Sequence, residues 1–333
     1  MRKSLNYTYG NGVVGVPETM MTQGIFGDDR LSASVRSLLV GGTSALMLAV
    51  SSLASVAIAG DPFRSENPHD IGDKTEKAFE AFFKDSHYPN AEAYLDDALE
   101  SEADDPIVPA MKASLLYLEE PDELEAEFQE YAAATLAAAD ALLENDPLRG
   151  NIYLAVGHFL EGGYILKTEG VVRGVPKALQ KLQLVFQHLD RAADIDATDP
   201  ELNIIKGYMD LMLAVSLPFA NPDRPIERLR EHAAPEYLAQ RGLAVGYRDL
   251  ERLDEAMEAV DRTLELTPNN PEVMYLKGQI YVEKGQHAES LAWFDRALAM
   301  REQLLDDLVR QIERERNKAQ REVEENGDAP EAS

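Results

Sequence analysis

Residues Pro235–Pro268 read PEYLAQRGLAVGYRDLERLDEAMEAVDRTLELTP, and Asn269–Met300 read NNPEVMYLKGQIYVEKGQHAESLAWFDRALAM. The two stretches carry one pattern at a spacing of 34 residues. Leu243-Ala244, Tyr247, Ala256, Val260 and Thr263 in the first correspond to Lys277-Gly278, Tyr281, Ser290, Phe294 and Ala297 in the second. A large residue, a small one, a tyrosine, then small, apolar and small residues at helical spacing describe two helices that cross closely. One such pair cannot bury its apolar face alone, so neighbours must stack into a solenoid.

A second regularity carries the reading upstream. An apolar residue precedes a proline by 11 positions four times: Leu95 and Pro106, Leu136 and Pro147, Leu189 and Pro200, Val260 and Pro271. Three residues after each apolar one stands a small residue, Ala98, Ala139, Ala192 or Thr263, on the same helix face. Each proline follows Asp105, Asp146, Asp199 or Asn270. A capping carboxylate or amide followed by proline at the first helical position marks a helix start.

These residues resemble the tetratricopeptide repeat, strongly over Pro235–Met300 and more weakly over Asp73–Ala234. The resemblance implies that Ala244, Gly278, Ala256, Ser290 and Ala297 sit at close crossings, filled by Tyr247, Tyr281, Val260 and Phe294. Gln240 and Met274 stand where the family often has Trp, and Lys277 replaces a preferred Leu. In the family the first helix of each pair lines a concave groove. Carried onto this chain, that role falls to Ile204, Tyr208 and Leu211, then Arg241 and Arg248, then Tyr275 and Gln279. Tyr208, Arg241, Arg248, Tyr275 and Gln279 are the candidate partner-binding residues, with the four Tyr and Arg side chains as the exposed anchors. The alternative is that the tyrosines pack laterally and the arginines pair with nearby Glu. Val245 occupies a slot where repeats that clamp a C-terminal carboxylate need Asn, so that specificity is not implied.

The expected fold is therefore all-α, a right-handed superhelical solenoid of about six helix pairs with a long C-terminal capping helix. The units are Asp73–Asp105, Pro106–Asp146, Pro147–Asp199, Pro200–Ala234, Pro235–Asn270 and Pro271–Met300. Residues 73–234 form degenerate repeats, 235–300 two well-matched ones and 301–325 the cap. The third unit is long, and its extra length is expected at Lys167–Lys177, where Gly170, Gly174 and Pro176 interrupt the pattern. Pro218, Pro222 and Pro225 shorten the second helix of the fourth unit to Ile226–Ala233. Leu291, Phe294, Leu298, Leu305, Leu308 and Ile312 continue as one apolar stripe without a breaker. That stripe predicts an unbroken helix, either sealing the last repeat or supporting weak self-association. The acidic residues 326–333 read as a disordered tail.

Outside the repeats, Arg30 and Arg36 precede the uncharged run Ser37–Ala59, which closes on Ala57-Ile58-Ala59. This is the pattern of a signal peptide cleaved after Ala59, with 1–59 removed and 60–72 left as a linker. An uncleaved signal anchor is the alternative, and membrane contact is expected only there. The sequence has no cysteine, which suits an exported chain that needs no disulfides and leaves no thiol nucleophile or thiolate metal site. With acidic charge and a signal peptide, the chain resembles exported cyanobacterial members of the family, placing it in a periplasm or thylakoid lumen.

The formal net charge is −28. Between Asp85 and Asp146 there are 18 acidic residues and one basic residue, Lys112. Phosphates would be repelled, so nucleic acid is not an expected partner. The acidic third is either a solvated face or a docking surface for a basic segment. Asp96-Asp97 and Asp104-Asp105 lack the spacing of an EF-hand loop. His158 and Glu161 stand one helical turn apart, as a metal or acid–base pair can, although packing explains a helical histidine equally. No metalloprotease, nucleophile-elbow, phosphate-loop or dinucleotide motif is present, so neither an enzyme nor a cofactor is expected. The resulting expectation is an exported scaffold or assembly factor binding a protein or peptide. A periplasmic holdase or enzyme accessory subunit is the first alternative, and a hydrolase with an unrecognised site the second.

Overall fold

The computed structural model describes residues 60–118, 125–216 and 221–326. The expectations for 1–59 and 327–333, signal peptide and tail, lie outside them. Among the described residues the structure is helical without strands. It is an α-solenoid of consecutive helix pairs. The first pair is α1 (Asp73–Phe79), continued by a π-helical turn (Glu80–Lys84), and α2 (Tyr88–Ser101). The second is α3 (Ile107–Leu118) and α4 (Glu125–Leu142). The third is α5 (Pro147–Ile195), whose two arms meet at Gly170. Then come α6 (Pro200–Ser216) with α7 (Asp223–Glu231), α8 (Glu236–Asp249) with α9 (Leu253–Leu266), and α10 (Pro271–Glu283) with α11 (His287–Ala299). A 3₁₀ turn (Arg301–Gln303) leads into α12 (Asp306–Asn326).

The four Asp/Asn-Pro pairs act as the sequence implies. Asp105 accepts from the Ile107 N–H at 3.0 Å, Asp146 from Arg149 at 2.9 Å, Asp199 from Leu202 at 2.8 Å and Asn270 from Val273 at 3.0 Å. Each side chain satisfies an orphan donor of a first turn. The apolar and small residues upstream of them are the core of each second helix. Leu95, Ala98, Ala139, Leu189, Ala192, Val260 and Thr263 are fully buried, and Leu136 packs on Gly157.

The crossings of the matched repeats are equally tight. Ala244, Ala256, Ser290, Ala297, Val260 and Phe294 have no exposed surface, and Tyr247 is buried; Tyr281 is half-buried. A Cβ on Gly278 would lie 2.6 Å from the Phe294 ring, so the two helices of the sixth unit approach as closely as they do only because that residue has no side chain. Ala297→Leu is therefore expected to overpack this crossing and cost about 1–3 kcal/mol in urea melts. Glu289→Gln, on the exposed side of the same helix, should cost less than about 0.5 kcal/mol. Equal losses would mean that the helix faces are assigned wrongly.

Four expectations are corrected. The second helix of the fourth unit, α7, runs Asp223–Glu231 with Pro225 inside its first turn, not Ile226–Ala233. In the third unit only Gly170, with φ 70°, turns the chain; Gly174 and Pro176 lie within the returning arm. The C-terminal stripe does not run through one helix. The chain turns at Met300–Leu304, and α12 folds back on α11, burying Leu304, Val309, Ile312 and Ala319. The cap is thus a separate helix, and much of its apolar side is spent inside the chain. Residues 60–72 are not a linker: Asp61, Phe63 and Ile71 are buried.

Candidate functional site: the first-helix face and its rim

The first helices α6, α8, α10 and the cap α12 stand in sequence, and the candidate partner-binding residues lie at their contacts. Tyr208 on α6 donates to the Leu238 carbonyl of α8 at 2.6 Å. Arg241 on α8 pairs with Glu272 of α10, whose other carboxylate oxygen accepts from the Tyr88 hydroxyl. Arg248 donates to Gln279 of α10 at 2.7 Å and to its neighbour Asp249 at 2.9 Å. Gln279 and Tyr275 in turn reach Glu315 of α12 at 3.1 and 2.5 Å, and Gln311 donates to the Tyr275 hydroxyl at 2.9 Å.

The expectation of exposed anchors is therefore overturned. Tyr208 is 1% exposed, Arg241 6%, Arg248 8% and Tyr275 6%. Ile204 and Leu211 are buried, and Gln279 is half-buried. These side chains form a lateral polar ladder that joins one first helix to the next. The physical reason is register. Arg241 to Glu272 and Arg248 to Gln279 are both separated by 31 residues, so each acceptor lies level with the preceding unit's cation. A cation and an acceptor recurring at that separation was the signal available in the sequence.

Between α6 and α8 this face carries a shallow depression of about 10 Å³, room for about one water. Leu211, Met212, Val215, Val245 and Asp249 line it, with Tyr208 at its floor beside Gly242 and Gly246. Its wall is apolar, and the Asp249 carboxylate at one end is bonded to Arg248.

The rim made by the first turns of α3, α5, α6 and α10 is covered by the segment 60–88. Asp61 folds that segment by accepting from the N–H groups of Phe63 at 2.7 Å and His69 at 3.0 Å. Arg64 then pairs with Asp199 and with Glu201 at 3.2 Å. Arg149 makes two bonds to Asp105, at 3.0 and 2.9 Å, and approaches Glu201 at 3.6 Å. His69 meets Asp146 at 3.0 Å. At the far end Ser86 donates to Asn270 at 3.0 Å, and Asn270 donates to the Lys84 carbonyl at 2.9 Å. Each cap residue thus uses one atom for its helix and another for a distant part of the chain. Phe63, Phe79, Phe82, Phe83 and Tyr88 form the aromatic knot behind this contact, with Phe79–Phe83 centroids 4.3 Å apart.

The electrostatics of the rim follow from these pairs. Burial alone would favour a neutral Arg64, but Glu201, Asp199 and Asp61 together raise its pKa. Burial pushes the Asp146 carboxyl up, yet the hydrogen bonds from His69 and the Arg149 N–H and their charges hold it below the usual carboxylate range. A depressed carboxyl pKa stabilises the fold above the unfolded value, near pH 4, and that contribution fades as pH falls through the folded value. Asp146→Asn keeps the capping oxygen and removes the charge. Its expected cost at pH 7 is below about 1 kcal/mol, because the pair is partly solvated. The gap to the native protein should narrow in melts between about pH 5 and pH 3. A gap that widens there would contradict the assignment.

His158 and Glu161 do meet, at 2.9 Å, and Lys181 from the returning arm of α5 bonds the same Glu161 oxygen at 2.6 Å. His188 bonds Asn151 at 2.9 Å, and its ring lies 5.7 Å from that of His158. These contacts knit the two arms of α5 together. Among the described residues no three His, Asp or Glu side chains are placed to hold a metal ion. The outer face of α2 exposes Glu92, Asp96, Asp97 and Glu100, with Lys112 buried beneath and bonded to Asp96 at 2.8 Å. No helix among the described residues is long and apolar enough to cross a membrane.

No curated protein matches the chain. Residues 241–304, from the first rungs of the ladder on α8 to the turn before α12, match the family model of the tetratricopeptide repeat, and this match supports a tetratricopeptide-repeat protein.

Proposed function

We propose that the chain is an exported protein-binding scaffold or assembly factor. The observation that carries the reading is the stack of helix pairs bearing a tetratricopeptide-repeat match, an architecture suited to protein–protein interaction. The partner segment lies along the shallow α6–α8 depression, over the apolar side chains Met212, Val215 and Val245 beside the lateral ladder. Val215, half-buried in its wall, is the residue to change. Capture from an envelope fraction of the native host followed by mass spectrometry tests the reading. One stoichiometric partner, lost at least about tenfold with Val215→Asp at unchanged melting, is the expected result, equivalent to about 1.4 kcal/mol. A broad client list would favour a holdase. Turnover of a substrate panel without a stable partner would favour an enzyme.

Export rests on the run Ser37–Ala59 and its closing Ala57-Ile58-Ala59. It places the protein in a periplasm or thylakoid lumen with Gly60 as the mature N-terminus. N-terminal sequencing of protein from the native host checks this; a full-length, carbonate-resistant membrane species would favour the anchor.

A further inference from the structure

The hairpin of α5 differs from every other pair in length and in chemistry. Its arms, 147–169 and 171–195, outlast the 12-residue α3, the 18-residue α4 and the 17-residue α6 beside them. Gly170 turns the chain at the tip. Near it, residues 161–184 carry Lys167, Arg173, Lys177 and Lys181 against Glu161 and Glu169, in a chain of net charge −28, and Lys181 is bonded to Glu161. Glu169 is itself bonded to Lys177 at 2.5 Å, and Lys177 remains 59% exposed.

The same tip shows apolar surface. Among the described residues, three large apolar side chains are exposed: Val172 at 92%, Leu179 at 49% and Ile195 at 51%. Val172 is beside the turn, and Leu179 lies about two turns along the returning arm. On the returning arm Val172, Pro176 and Leu179 follow one another at helical spacing, with exposed Arg173, Lys177 and Gln180 beside them. Aliphatic side chains bordered by exposed cations near the turn of the hairpin suit a counterpart that is both anionic and apolar.

We propose that the α5 hairpin tip docks on an anionic lipid surface. The headgroups take the exposed Arg173 and Lys177, and the acyl boundary takes Val172 and Leu179. A second copy of the chain answers only half of this demand. Its acidic face on α2 supplies charge, but among the described residues the exposed large apolar side chains are those of this hairpin, and two such hairpins meeting would bring like charges together. This contact is separate from the segment 37–59 and needs a test that is blind to it.

The absence of cysteine provides that test. In the full chain, Gln180→Cys carries an environment-sensitive fluorophore beside Leu179, and Asp97→Cys on α2 is the control. Vesicles of phosphatidylcholine and of an equal phosphatidylglycerol–phosphatidylcholine mixture are the probes. The label at 180 is expected to blue-shift and to be quenched by lipid-borne nitroxides on the mixed vesicles alone, with the label at 97 unchanged. Arg173→Glu with Lys177→Glu should weaken this response at least about tenfold, since each cation near such a surface contributes about a fivefold factor. Val172→Ser with Leu179→Ser should abolish the quenching, and added salt should reduce the blue shift. A label at 180 that stays silent, responds equally to both vesicles, or shifts with protein concentration in their absence overturns the proposal. The last result would assign the tip to a protein contact.

Discussion

Arg241→Ala is expected to cost about 3–5 kcal/mol in urea or thermal melts, the range for breaking a buried ion pair from one side. Arg241 and Glu272 are each 6% exposed, and the Tyr88 hydroxyl bonds to the same carboxylate. Removing the guanidinium strands a buried carboxylate with one neutral donor, and water cannot reach it without opening the contact between α8 and α10. Replacing both charged partners, Arg241→Met with Glu272→Leu, should recover much of the loss, because no charge is then left uncompensated. The Tyr88 hydroxyl would still lack its acceptor, so recovery should fall short by about 1–3 kcal/mol. A loss below about 1 kcal/mol for Arg241→Ala would show that this pair is solvated. The same reasoning removes Arg241 and Tyr275 as probes of partner binding: their replacement disturbs the stack itself.

The second large effect is expected at the aromatic knot. Phe83 is 1% exposed and contacts Phe79 and Phe82, with ring centroids 4.3 and 4.5 Å away. Phe83→Ala should cost about 3–5 kcal/mol. The consequence should also be regional. In most solenoids each unit touches only its neighbours, so stability is nearly a sum over adjacent pairs. Here Ser86–Asn270 and Tyr88–Glu272 bond residues 184 positions apart, which ties the first pair to the sixth. In native protein the amides of α1, α2 and the first turn of α10 are expected to open together in hydrogen exchange. With Phe83→Ala the segment 60–88 should lose protection first, and the first turn of α10 should follow it while α11 keeps its own. Uniform loss across all units would mean that the long-range contact adds nothing to cooperativity.

These two sites show how the molecule uses surface that the repeat pattern leaves unassigned. The first-helix face of the later units is spent on cohesion through Tyr208, Arg241, Arg248 and Tyr275. The rim of cap residues is spent on holding the N-terminal segment. Among the described residues the apolar wall of the α6–α8 depression, the acidic face of α2 and the α5 turn take no part in the ladder's lateral bonds or the rim contacts.

The sequence by itself determined the all-helical stack of pairs and the residues buried at their crossings. Caps, small residues and apolar periodicity are local: Asp146 caps the helix that starts at the next residue, and Leu189 and Ala192 share a face whatever surrounds them. Such signals act over one or two turns, so they can be read in order along the chain. The tertiary structure alone decided the fate of the candidate site. Whether Arg241 faces solvent or Glu272 depends on how far one first helix slides past the next, and no local propensity encodes that offset. Whether residues 60–72 hang free or pack depends on Arg64 meeting Asp199, 135 positions away. The break at Met300–Leu304 is of the same kind. The stripe through Leu298, Leu305 and Ile312 suits a continuous helix, but folding back lets Ile312 and Val309 bury against α11 instead of projecting into water.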